Sequence, residues 1–162
     1  MKFLNINASN YNDKNESNVK LIDDLNNSIQ NNKKVFLLVY LIGCGPCNAT
    51  RPEWKKIENV LGKKYKNNNE YIVVDIDQSL MPEIKNLKDT PNSFPSIRYI
   101  QGDKYQSYTD GRDVDSFINW IEGKMKQSGG TKIKNKSKKN KSKKNNFKKN
   151  KSKKNKTRRL YR

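Results

Sequence analysis

Cys44 and Cys47 are the only cysteines in the 162 residues, and only Gly45 and Pro46 stand between them. Two thiols at this spacing can close a small disulfide ring and open it again. If the pair sits at the start of a helix, the first sulfur faces unpaired N–H groups and the positive end of the helix dipole, which favour thiolate over thiol. In such a setting a cysteine pKa falls from about 8.5 to somewhere between roughly 3.5 and 7.5. Cys44 is therefore expected to be the exposed nucleophile. Cys47, one turn further in, is expected to be the shielded resolving thiol, with Gly45 and Pro46 forming the active-site turn.

Other uses of a cysteine pair fit less well. A structural zinc site takes four ligands, usually Cys and His, and this chain has no histidine and no third cysteine. No metal is expected. A permanent crosslink over two residues closes almost no loop and stabilises little.

The elements around the pair follow from periodicity. Phe3, Leu4 and Ile6 suit a short first strand, and Asn10–Ser17 reads as a polar loop. Leu21, Ile22, Leu25 and Ile29 recur at helical spacing, which predicts an amphipathic helix over Asn18–Gln30. Val35–Ile42 is continuously apolar and rich in β-formers, the pattern of a central strand buried on both faces. It runs into Gly43 and the cysteine turn. This order places the cysteines at the carboxyl end of a central strand, where open α/β sheets carry their sites. A second helix is predicted over Pro46–Lys66, with Trp54, Ile57 and Leu61 on its buried face and Pro52 expected to kink it. Tyr71–Asp77 reads as a second buried strand, and Ser79–Leu87 as a short helix with Pro82 in its first turn. Thr90–Pro95 is turn-rich. Ser96–Ile100 and Tyr105–Tyr108 form a hairpin about Gly102-Asp103. Val114, Phe117, Ile118, Ile121 and Met125 mark the core stripe of a last helix, Asp113–Gln127.

Charge divides the chain. Residues 131–162 carry 17 Lys+Arg and no acid, against 18 Lys+Arg and 16 Asp+Glu in the remainder. The motif Asn-Lys-Ser-Lys-Lys-Asn occurs at 135–140, 140–145 and 150–155. Such a segment cannot bury enough apolar surface to fold and is expected to be disordered. The expected organisation is a folded domain over 1–127, a hinge at 128–130 and a basic tail over 131–162. The first residues lack the apolar core of a signal peptide, and the longest apolar run is too short to span a bilayer. A soluble cytoplasmic monomer without membrane association is expected, in a reducing compartment where such a pair reads as catalytic.

The element order, with Cys44-Gly45-Pro46-Cys47 at the end of an apolar strand, resembles the thioredoxin superfamily. The four residues are identical to the thioredoxin active-site motif. Pro52 falls where thioredoxins carry a helix-kinking proline, Val73–Asp77 looks like the family's third strand, and Phe94-Pro95-Ser96-Ile97 resembles its cis-proline segment. Tyr108–Arg112, followed by Phe117 and Ile118, is closer to the catalytic domains of protein disulfide isomerases. The resemblance implies the thioredoxin fold, an α/β architecture with a central mixed sheet flanked by helices. It further implies that Pro95 is cis and faces the cysteines, that Phe94 pairs through its backbone with a bound peptide, and that Arg112 can swing toward the cysteines as a modulator. Neither metal nor organic cofactor is implied. Three positions depart from the family pattern. Gly43 stands in place of an aromatic, Leu38 in place of a buried acid that relays a proton to the resolving thiol, and Val73 stands near the position of that acid's usual lysine partner. Proton transfer at Cys47 must then use water or another group.

Two functions are expected from these features. One is a thiol–disulfide oxidoreductase acting on protein disulfides, with a reductase as its own partner. The other is a binding module of the same fold, docked by its tail on nucleic acid or another polyanion. The Lys/Asn bias looks like that of proteins from AT-rich genomes, large DNA viruses among them, which adds the nucleus and the virion as alternative locations.

Overall fold

The computed structural model describes residues 1–8, 16–85, 87 and 90–128. The expectations for Asn10–Asn15, for Gly129 and Gly130, and for the tail fall outside them. In chain order the elements are β1 (Lys2–Ile6), α1 (Glu16–Gln30), β2 (Lys34–Tyr40), α2 (Gly45–Lys64), β3 (Tyr71–Asp77), a 3₁₀ helix (Gln78–Glu83), β4 (Ser96–Gln101), β5 (Lys104–Ser107) and α3 (Val114–Ser128). The sheet order is β1-β3-β2-β4-β5. β3 runs parallel to β1 and β2, while β4 runs antiparallel to β2 and β5. This is the mixed sheet of the thioredoxin fold.

β2 occupies the centre because its residues are apolar on both faces. Val35, Leu37 and Val39 point into a core with Ile22, Leu25 and Ile29 of α1. Phe36 and Leu38 point the other way, into a core with Trp54, Ile57 and Leu61 of α2 and Phe117 and Ile121 of α3. Each such side chain contributes about 1.5–3 kcal/mol on full burial, so β2 anchors both layers. Aromatic edges lock the second layer: Trp54 meets Phe117 at 5.1 Å and Phe36 meets Trp120 at 5.2 Å, both T-shaped.

The loop expected through Ser17 gives way to α1 at Glu16, and other element ends shift by one or two residues. Two larger expectations need correction. The apolar run was expected to be buried through Ile42, but β2 stops at Tyr40, and Leu41 and Ile42 are 40% and 64% exposed. The parallel ladder supplies the reason. Tyr40 pairs with Asp77, the last residue of β3, and beyond it Gly43 takes a φ of +81° and turns the chain into α2. Glycine meets no steric penalty at this φ. The helix expected over 79–87 is a 3₁₀ helix that ends at Glu83. Pro82 cannot donate the bond that an α-helix needs there, and Ile84 is already extended and buried.

Candidate functional site

Gly43 delivers Cys44 to the N-cap of α2 with extended backbone. Cys44 Sγ accepts the backbone N–H of Cys47 at 3.3 Å and is bonded to Cys47 Sγ in a disulfide, with the two Cα atoms 5.2 Å apart. The sulfur thus takes up one of the otherwise unpaired donors of the helix start. Pro46 sits in the first turn, where a missing N–H costs nothing. Its carbonyl accepts the Thr50 hydroxyl at 2.8 Å. Cys44 is partly exposed, while Cys47 has no exposed surface. The two sulfurs are therefore chemically unequal: one can meet another molecule and one cannot.

The cis Phe94–Pro95 peptide lies opposite, between the 3₁₀ helix and β4. The carbonyl oxygen of Phe94 is 3.8 Å from Cys44 Sγ, although fifty residues separate them in sequence. The structure therefore brings Cys44, Gly45, Pro46, Cys47, Phe94 and Pro95 together. Arg112 is exposed two residues before α3, and among the described residues no hydrogen bond or ion pair joins it to them.

Between β2, β3 and α2 lies a group of residues that the sequence did not single out. Tyr40 closes β2, and Asp75 and Asp77 lie on β3. The registers pair Leu38 with Asp75 and Tyr40 with Asp77. All of these residues are buried. Arg51, one helical turn after Cys47, lies over the Tyr40 ring with its guanidinium carbon 3.6 Å from the centroid. Its Nη2 is 3.8 Å from Asp75 Oδ2, an ion pair too long to be a hydrogen bond. Burial pushes the Asp75 carboxyl up to about 6, with Lys55 and Arg51 opposing the shift. Burial likewise pushes the Tyr40 phenol up to about 12. A signal was present in the sequence: Asp75 and Asp77 alternate within an otherwise apolar strand, which places both on one face.

The Thioredoxin family model matches residues 16–123. Protein disulfide-isomerase 1 of Dictyostelium discoideum is 28% identical over 109 residues, covering 65% of this chain and 28% of the relative. The chain thus spans under a third of that relative's length. Among solved structures, the zinc-bound form of human ERp44 is similar with a TM-score of 0.53 at 14% identity, over 75% of this chain and 31% of that one. The J-Trx1 fragment of ERdj5 is similar with a TM-score of 0.50 at 15% identity, over 74% of this chain and 49% of that one. These two likenesses are of fold.

Proposed function

Because the chain belongs to the thioredoxin family, we propose that it is a thiol–disulfide oxidoreductase whose substrates are disulfides of other proteins. The inequality of the two sulfurs carries this reading: Cys44 is reachable and held at a helix N-terminus, and Cys47 is buried one turn behind it. In the reduced protein the Cys44 thiolate attacks one sulfur of the substrate disulfide. A Cys44–substrate disulfide forms and the other substrate sulfur leaves as a thiolate. Cys47, having lost its proton, then attacks Cys44 Sγ. The Cys44–Cys47 bond forms, the second substrate sulfur leaves, and both substrate thiolates end as thiols. Two protein thiols are oxidised and one substrate disulfide is reduced. Run backwards, the same steps oxidise a dithiol.

Extended peptide beside the substrate disulfide lies along Phe94, whose carbonyl faces Cys44, while the exposed Leu41 and Ile42 offer apolar contact on the approach to the sulfur. The test is disulfide reduction on insulin with dithiothreitol as electron donor, comparing wild type, Cys44→Ser and Cys47→Ser. Activity is expected only in wild type, with substrate trapped on Cys47→Ser as a mixed disulfide. Full activity of Cys44→Ser would overturn the reading.

A further inference from the structure

Cys47 must lose a proton before it can attack, yet its side chain has no exposed surface. A proton on a buried sulfur cannot pass directly to bulk water, so an internal route is required. Leu38, on β2 six residues before Cys44, can neither accept nor donate.

The buried polar atoms point to the route. Among the described residues, four buried side-chain nitrogens and oxygens lack a protein hydrogen-bond partner: Tyr40 Oη, Arg51 Nε, Asp75 Oδ2 and Asp77 Oδ2. Buried polar groups are almost always satisfied, and here all four fall in one neighbourhood. Tyr40 and Asp77 are register partners, Asp75 lies two residues before Asp77, and Arg51 stacks on Tyr40. Arg51 also shares a helix face with Cys47, four residues before it. A single buried water typically makes about three hydrogen bonds to groups of this kind. A cavity of about 150 Å³ between β1, β3 and α2 reaches Asp75 from the side, lined also by Asn5, Trp54, Lys55 and Glu58. Both Lys55 and Glu58 are exposed, so its mouth is charged and wettable.

We infer that Asp75 is the proton acceptor for Cys47, acting through water held among Tyr40, Arg51, Asp75 and Asp77 and exchanging with solvent through the cavity beside β1. The inference rests on the oxidoreductase reading above. The Cys47 proton passes by way of water to the Asp75 carboxylate, and the resulting thiolate attacks Cys44 Sγ of the mixed disulfide. The bond from Cys44 to substrate breaks, and the departing thiolate takes up a proton from solvent. Asp75 then returns its proton to solvent by the cavity. The charges facing Asp75 are Arg51 and Lys55, with Glu58 at the cavity, from α2, and Asp77 on its own strand; Tyr40 from β2 is a neutral phenol. Asp75 is a positioning residue, because it reaches the sulfur through water.

Ellman's reagent separates the two steps. With the reduced full-length chain, attack by Cys44 releases a first 5-thio-2-nitrobenzoate, and resolution by Cys47 releases a second. Asp75→Asn is expected to keep the first release and slow the second about 100-fold at pH 7, the lower end of general-base effects. It should also erase the rise of the second rate with pH across the Asp75 titration. A second release as fast as wild type with the same pH profile would overturn the assignment. A single release from wild type would instead sink the two-cysteine mechanism and this inference with it. The wild type gives an independent reading by NMR of the Asp75 carboxyl carbon. In the reduced protein its titration should show an extra inflection where Cys47 ionises, absent from the oxidised protein. Identical curves in the two redox states would overturn the proposal.

Discussion

The two sides of the disulfide differ in a way that inverts ordinary protein surfaces. The outer side is apolar and exposed: Leu41 and Ile42 stand in water beside the partly exposed Cys44. The inner side is polar and buried: Tyr40, Asp75 and Asp77 lie at or below 4% exposure between β2, β3 and α2. Apolar groups normally leave water, and charges normally stay in it. On the proposed function, the outer side would offer this apolar surface to a polypeptide substrate. The inner side keeps ionisable groups out of solvent, with Arg51, four residues after the buried Cys47, stacked over Tyr40. One turn of α2 separates Cys44 from Cys47, so on the proposed reading a single helix start would serve both recognition and proton handling.

The sharpest way to break this division is to exchange the roles of the sulfurs. Cys44→Ser should reduce insulin at less than about a thousandth of the wild-type rate, as expected when a nucleophile is removed. Cys47→Ser should instead accumulate a mixed disulfide visible on a non-reducing gel. Turnover by Cys47→Ser at the wild-type rate would show that the buried sulfur has no part in release.

The next effect concerns the dryness of the inner side. Leu38 is fully buried and paired in register with Asp75. Leu38→Asp removes apolar packing and places a second carboxyl beside the first, which should cost about 3–5 kcal/mol in urea unfolding at pH 7. A loss below about 1 kcal/mol would mean that water already fills the space at Leu38.

Asp75 itself makes stability depend on pH. Its folded-state pKa is raised from 3.8 to about 6, so the folded protein holds a proton that the unfolded chain releases. Stability from this group is full below about pH 4 and is lost as pH rises through 6, amounting to about 3 kcal/mol. Asp75→Asn should lack this decline when unfolding is compared at pH 4 and pH 7. An unchanged difference would place the carboxylate in a wetter environment than its burial indicates.

The smallest effects belong to the outer side. Leu41→Ser and Ile42→Ser should change stability by no more than about 0.5 kcal/mol, as surface substitutions usually do. They should raise KM for a protein disulfide and leave the reaction with Ellman's reagent unaltered. A loss above about 1 kcal/mol would show that these residues belong to the core after all.

Much of this architecture was written in local pattern. A continuous apolar run from Val35, a turn at Gly43 and a helix with Trp54, Ile57 and Leu61 on one face can be read from spacing alone, because hydrophobic period and turn chemistry are short-range properties. So can the pairing of Cys44 with Cys47, which lie three positions apart. The cis peptide before Pro95 was legible through family resemblance, from the Phe-Pro-Ser segment.

Tertiary structure decided the rest. Phe94 reaches Cys44 only because β4 pairs antiparallel with β2 and carries the preceding loop back to the cysteine turn. The burial of Asp75 and Asp77 has the same kind of origin. Their alternation fixed that they share a face, but a strand with one acidic face can as well lie at an edge with that face in water. Placing β3 between β1 and β2, beneath α2, turned that face inward and brought Arg51 over it. Strand order is set by contacts between residues far apart in sequence, so no local pattern could have told an exposed acidic face from a buried proton acceptor.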